Sequence, residues 1–225
     1  MKTSNEFRDA EREHQSLLAS AEKKILTWLA HRLPAFINSD HLTALGFLSL
    51  IGVGFSYWYA KHSRAGLLFA TVFIILNWFG DSLDGTLARV RQRLRPRYGF
   101  YVDLVLDACG SVFVFAGLAL SGYMSERIAV GLLVVYFLLS IEVYLATYTV
   151  GKFHLSFAMF GPTELRLLLI AGNVALLFRP YAILGGKTFL LFDVGGAIGI
   201  AGIGGALLWS IIKHTCYLYR TETLS

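Results

Sequence analysis

Seven aspartates occur in the chain, and four of them, Asp81, Asp84, Asp103 and Asp107, fall within 27 residues. They stand in the strings Asn77-Trp-Phe-Gly-Asp81-Ser-Leu-Asp84-Gly85-Thr-Leu-Ala88-Arg89 and Gly99-Phe-Tyr-Val-Asp103-Leu-Val-Leu-Asp107. Four convergent carboxylates without His or Cys suit hard, oxygen-preferring ions such as Mg²⁺, Mn²⁺ or Ca²⁺. Two divalent ions would neutralise them. Paired metals with open coordination positions suit a diphosphate, where they offset charge on the leaving and transferred groups. The chemistry indicated is substitution at a phosphoanhydride. Redox chemistry is not, because the two cysteines, Cys109 and Cys216, form neither a disulfide framework nor a thiolate cluster.

The elements that must position these groups follow from the spacing. At about 100° per residue, Asn77, Asp81, Asp84, Gly85 and Ala88 share one face of a helix, and Gly99, Asp103, Asp107 and Gly110 share one face of the next. Gly85 and Ala88 leave room for a ligand to approach the backbone. Pro96 disfavours continuous helix from Arg91 to Arg97, so the turn between the two helices belongs there and antiparallel packing can bring the faces together. An ionised group at membrane depth costs a few kcal/mol and is seldom retained without a partner or polar cavity. Aspartates that merely solvated helix ends, or paired with Arg89, Arg91 or Arg93, would not need this arrangement.

The depth is that of a bilayer. The 225 residues are 56% hydrophobic and 16% charged, with long apolar stretches at roughly 40–60, 65–80, 99–122, 128–150, 164–178 and 189–212. About 20 helical residues cross a hydrocarbon core of about 30 Å. The expected fold is therefore all-α: a six-transmembrane-helix bundle over residues 38–225, preceded by an amphipathic interfacial helix within residues 1–37. In that helix Leu18, Ala21, Ile25, Trp28 and Leu29 recur at helical spacing with Glu22, Lys23 and Lys24 between them. The charged first 16 residues do not read as a signal peptide, so the amino terminus is expected to be retained. Fifteen of the twenty Lys and Arg residues sort to one side of the six spans, which places both termini and the Arg-rich turn in the cytoplasm. The net charge of +5 needs no nucleic acid and fits contact with anionic lipid headgroups.

The string Asp81-x-x-Asp84-Gly85-x-x-Ala88-Arg89, nine residues, then Gly99-x-x-x-Asp103-x-x-x-Asp107 resembles the signature of the CDP-alcohol phosphotransferase family in eight fixed positions. The six-helix layout and the preceding amphipathic helix resemble it too. The family's frequent Pro-Asn opening of the first span is replaced here by Asn38-Ser-Asp-His-Leu-Thr43. The resemblance implies that Asp81, Asp84, Asp103 and Asp107 bind two divalent cations, Mg²⁺ or Mn²⁺, with Asp107 also the base for the incoming hydroxyl. It implies that Gly85, Ala88, Arg89 and Gly99 accommodate the CDP moiety and that the enzyme is a homodimer. Asn77 joins this set by its position one turn before Asp81. CDP-diacylglycerol with a water-soluble alcohol is the preferred substrate pair; CDP-choline or CDP-ethanolamine with diacylglycerol is the alternative.

Other signals are less specific. Gly161-Pro162-Thr163-Glu164-Leu165-Arg166 opens the fifth span, where Thr163 as N-cap and Arg166 one turn later could hold an acceptor phosphate. Arg91, Arg93, Arg95 and Arg97 read as topological anchors. Glu142, inside an apolar span, is either a site or a hydrogen-bonded structural group. The glycines between 195 and 205 suit close helix packing, within the chain or in a dimer. His62, His154 and His214 show no ligand spacing. Two rivals fit less well: an intramembrane prenyltransferase would need two separate Asp-rich motifs, and an ion-coupled transporter or channel would not require the Asp-Gly-x-x-Ala-Arg arrangement.

Overall fold

The computed structural model describes residues 19–150 and 162–222. The order is α1 (Ala19–Arg32), α2 (Ser39–Ala60), α3 (Ala65–Val90), α4 (Pro96–Leu120), α5 (Glu126–Val150), α6 (Pro162–Phe178), β1 (Tyr181–Leu184), β2 (Lys187–Leu190) and α7 (Leu191–Thr221). Five helices, α2, α3, α4, α5 and α7, are long and apolar enough to cross a membrane. α6 has 17 residues, or about 26 Å of helix, the lower limit for a span. It completes the six-helix layout as its shortest member. Large apolar side chains such as Phe55, Leu145, Leu168 and Trp209 cover the outside, as the bilayer requires of an integral membrane protein.

One element departs from the all-α expectation. Between α6 and α7 the chain forms an antiparallel hairpin that pairs Tyr181 with Leu190 and Leu184 with Lys187. Gly185 and Gly186 take φ of 56° and 78° at its tip. Left-handed conformations at both central residues match the twist of the flanking strands, and glycine reaches them without strain.

The ends of the site-bearing helices are set locally. Asn38 opens α2 with a reciprocal cap: His41 N donates to Asn38 Oδ1 at 3.0 Å and Asn38 N to His41 Nδ1 at 3.4 Å. α3 closes with Gln92 at φ 54°, where Arg93 N reaches Ala88 O at 2.9 Å and Gln92 N reaches Arg89 O at 3.1 Å. These bonds satisfy carbonyls that the last turn leaves unpaired. Pro96 then starts α4 at a position where its missing N–H costs nothing. The turn falls where Pro96 places it.

α2 is the strut of the bundle. α3 and α4 each pack on α2 far more than on one another, so the two aspartate-bearing helices border a groove rather than a tight seam. Glycine permits the close crossings. A Cβ on Gly80 would lie 2.6 Å from the Leu42 carbonyl oxygen, and one on Gly117 would lie 2.7 Å from Gly54 Cα. Backbone-to-backbone approach of this kind supplies the dispersion that holds helices together in lipid. In the later glycine series only some positions pack within the described chain: Gly196 and Gly199 meet Leu132 of α5, whereas Gly195, Gly202, Gly204 and Gly205 face open space.

α1 turns Leu26 and Ala30 onto Leu42, Leu83 and Leu87. Leu29 packs against the same cluster, whereas Ile25 and Trp28 are about half exposed, and the Arg32 guanidinium stacks over Trp28 at 4.1 Å. That outward pair is suited to the membrane interface.

Candidate active site

α3 carries Asp81 and Asp84 and α4 carries Asp103 and Asp107 along the groove between them, and α2 and α6 add contacts. Asp84 is buried, and Thr43 Oγ1 of α2 donates to its Oδ2 at 2.6 Å while Ser39 Oγ donates to its backbone carbonyl at 3.0 Å. The segment that departs from the family's Pro-Asn opening thus supports Asp84 directly. Asn77, also buried, donates from Nδ2 to Gly46 O at 3.1 Å and accepts from Arg166 Nε at 2.9 Å. Arg166 Nη2 forms an ion pair with Asp81 Oδ2 at 2.5 Å, both side chains being mostly shielded. Asp107 lies in the electrostatic field of Asp81, Asp84 and Arg166. Asp103, one turn before it on α4, also engages in contacts of its own.

Each motif residue around the aspartates has a distinct setting. Ala88 lines a cleft of about 410 Å³ with Asn38, Ser39, Arg91, Arg93 and Arg95. A Cβ on Gly85 would meet only the tip of Arg89, at 3.5 Å, and one on Gly99 would meet nothing. These two glycines border open space, unlike the crossing glycines. Arg89 itself is exposed.

The arginines of the turn divide. Arg91 is a structural clamp: its guanidinium donates to the carbonyls of Leu33 at 3.0 Å, Pro34 at 2.9 Å and Ile37, closing the α1–α2 connection. Arg95 pairs with Asp40 at 2.6 Å and stacks over Tyr98 at 4.5 Å. That pair is exposed and screened by water, so it contributes little to stability.

Four contributors escaped the sequence reading. Ser39 and Thr43 lie one turn apart at the start of α2, and their spacing was the available signal. Tyr136 and Tyr144 of α5 share the field of Asp107; they recur at two-turn spacing, which in an apolar span reads equally as packing. Thr163 departs from its expected part. It lies within α6, and its hydroxyl donates to Glu22 at 3.0 Å rather than serving as the cap.

Glu142 belongs to a different place. It accepts from Ser210 Oγ at 2.8 Å and contacts His214 Nδ1 at 2.6 Å, joining α5 to α7. Ser210 and His214 are one turn apart inside α7. His154 falls outside the described residues. The cluster explains how a carboxylate is tolerated in that span. Glu142→Ala would strand the buried Ser210 and the partly buried His214 at a cost of about 3 kcal/mol, so the melting temperature of the detergent-solubilised protein should fall by roughly 6–12 °C. An unchanged midpoint would remove Glu142 from the structural framework.

The donor set of the groove fits a hard divalent cation: every candidate ligand is a carboxylate oxygen, and the cluster already draws one cation, the Arg166 guanidinium. Among the described residues no three acidic, His or Cys side chains stand together in ligating geometry. Thr43 holds Asp84 and Arg166 holds Asp81.

Comparison with known proteins bears on the whole arrangement. Among curated proteins none matches the chain. A crystal structure of the Mycobacterium tuberculosis phosphatidylinositol phosphate synthase with CDP-DAG bound is similar at a TM-score of 0.57 and 18% identity, over 85% of this chain and 92% of that one. At that identity the likeness establishes the fold. The family model for CDP-alcohol phosphatidyltransferases matches residues 36–209, which include every aspartate of the groove. The chain therefore belongs to the CDP-alcohol phosphatidyltransferase family and is an integral membrane transferase of phospholipid biosynthesis.

Proposed function

We propose that the enzyme moves a phosphatidyl group from CDP-diacylglycerol to an acceptor hydroxyl and releases CMP, using Asp81, Asp84, Asp103 and Asp107 to hold two divalent cations, Mg²⁺ or Mn²⁺. The observation that carries this reading is Arg166 of α6 seated on Asp81 and Asn77 of α3. It sets an anion-binding side chain beside the carboxylate groove, separate from the cleft at Ala88. The groove then has one end for a nucleotide and another for an acceptor phosphate.

The bound cations would offset the charge that develops on the diphosphate. Asp107 accepts the proton of the acceptor hydroxyl, whose oxygen bonds to the β-phosphorus as the anhydride P–O bond breaks and CMP departs with the electron pair. Gly85 and Gly99 leave the backbone approachable there, with Arg89, Ala88 and the arginines of the turn beside the CDP moiety. Arg166 uses Nε and Nη2 on α3, and a guanidinium carries five N–H donors, enough to bind a phosphate as well. The active site and both termini face the cytoplasm in this reading, on the strength of the basic residues that flank the groove, and the enzyme is a homodimer.

The test is CMP release by the purified protein with Mg²⁺ or Mn²⁺. CDP-diacylglycerol, CDP-choline and CDP-ethanolamine are paired with glycerol phosphate, inositol, inositol phosphate, serine and diacylglycerol. CDP-diacylglycerol with a phosphorylated alcohol is the expected pair. Arg166→Ala should raise the KM of that acceptor by about 10- to 100-fold, the worth of a charge-assisted hydrogen bond, and leave the donor KM nearly unchanged. Equal losses with phosphorylated and unphosphorylated acceptors would make Arg166 structural.

A further inference from the structure

Glu22 lies in α1, outside the motif-bearing segment, yet its carboxylate is met from two other helices. Trp78 Nε1 and Ser82 Oγ of α3 donate to Oε1 at 2.8 and 3.2 Å. Thr163 Oγ1 of α6 reaches Oε1 at 3.0 Å and Oε2 at 3.2 Å. The contacts close a ring. Ser82 follows Asp81 in the chain, Thr163 precedes Arg166 by three residues, and Arg166 returns to Asp81 and Asn77.

The ring has a mechanical meaning. Thr163 is β-branched and restricted at χ1, so a bond to its hydroxyl constrains the rotation of α6 about its axis. One turn later that rotation decides whether the Arg166 side chain points at α3. Glu22 also places negative charge beside the first turn of α6, where the helix dipole favours it. A solvated acid on an interfacial helix would show none of these contacts.

We propose that Glu22 is a positioning residue for the transfer reaction: by tying the start of α6 to α3 it holds Arg166 at Asp81 and readies it for the acceptor. The kinetic consequence rests on the reading of Arg166 as the acceptor-phosphate site. The geometric one does not.

Both are measurable on the full chain in nanodiscs. Glu22→Ala is expected to raise the KM of a phosphorylated acceptor about fivefold or more with kcat within about twofold, and Glu22→Gln, which keeps an accepting oxygen, to restore it. Thr163→Val, which removes only the α6 half of the contact, should match Glu22→Ala. The double variant Glu22→Ala/Arg166→Ala should be no worse than Arg166→Ala alone, since Glu22 acts through Arg166. Spin labels at Lys24→Cys and Leu168→Cys, with Cys109 and Cys216 replaced by Ser, report the α1–α6 distance. Its distribution should widen in Glu22→Ala and stay narrow in Glu22→Gln. An unchanged distribution in Glu22→Ala, or additive KM losses in the double variant, would overturn the inference. If Arg166→Ala leaves acceptor KM unaltered, the phosphate-docking reading falls, and the distance measurement still decides whether Glu22 positions α6.

Discussion

Asp107→Asn is expected to lower kcat by about 10²- to 10⁴-fold, the usual worth of a positioned general base, while CDP-alcohol binding weakens far less. Asparagine keeps the size of the side chain and loses both the charge and the ability to take a proton. The base is needed only as the acceptor hydroxyl attacks, so its loss falls on the transition state and not on the ground-state complex. Asp81→Asn, Asp84→Asn and Asp103→Asn should also abolish most turnover, but as ligands to a shared charge cluster. Excess Mn²⁺ should therefore recover part of their activity and little of that of Asp107→Asn. CMP release under single-turnover conditions, with donor binding measured separately, distinguishes the cases. Full transfer in Asp107→Asn would rule out its role as base.

The second large effect concerns glycines that are equivalent in composition and opposite in setting. Gly117→Ala would place a methyl group 2.7 Å from Gly54 Cα. Backbone cannot step aside as a side-chain tip can, so α2 and α4 must separate. The expected loss is about 3 kcal/mol, the upper end for overpacking, and with it the placement of Asp103 and Asp107. Gly85→Ala has only the flexible Arg89 tip nearby, at 3.5 Å, and Gly99→Ala meets nothing. Those two variants should melt with the parent protein, and their expected defect is a raised KM for the CDP-alcohol. Thermal unfolding alongside CMP-release kinetics separates the classes; a stable, fully active Gly117→Ala would refute the packing argument.

Much of this is legible in the sequence alone. The four aspartates and the turn at Pro96 follow from composition and helical period, because charge in an apolar span and proline in a helix carry large local costs. The packing order did not follow. Sequence places α3 and α4 as neighbours through a short connection, but only the glycine-lined crossings reveal that α2 is the common partner of both. Thr43 on Asp84 and Glu22 on Thr163 are contacts over 41 and 141 residues of separation, and no local pattern encodes them. Nor did period distinguish the motif glycines that border open space from those at the helix crossings. The hairpin at Gly185-Gly186 escaped because its strands have four residues each, too few to establish an alternation.

The position of α2 bears on how substrate choice can evolve in this protein. The walls of the groove are held at a spacing set by the thickness of an intervening helix at its glycine crossings, in the manner of a fixed gauge. Mutations that try to widen or narrow that gauge act through backbone contacts and cost stability before they alter selectivity. In the proposed reading, changes of acceptor would come instead from α5 and α6, whose Tyr136, Tyr144 and Arg166 stand apart from the glycine crossings, with Arg166 also carrying the ion pair to Asp81. The crossings that fix the gauge and the side chains proposed to meet the acceptor thus lie on different helices.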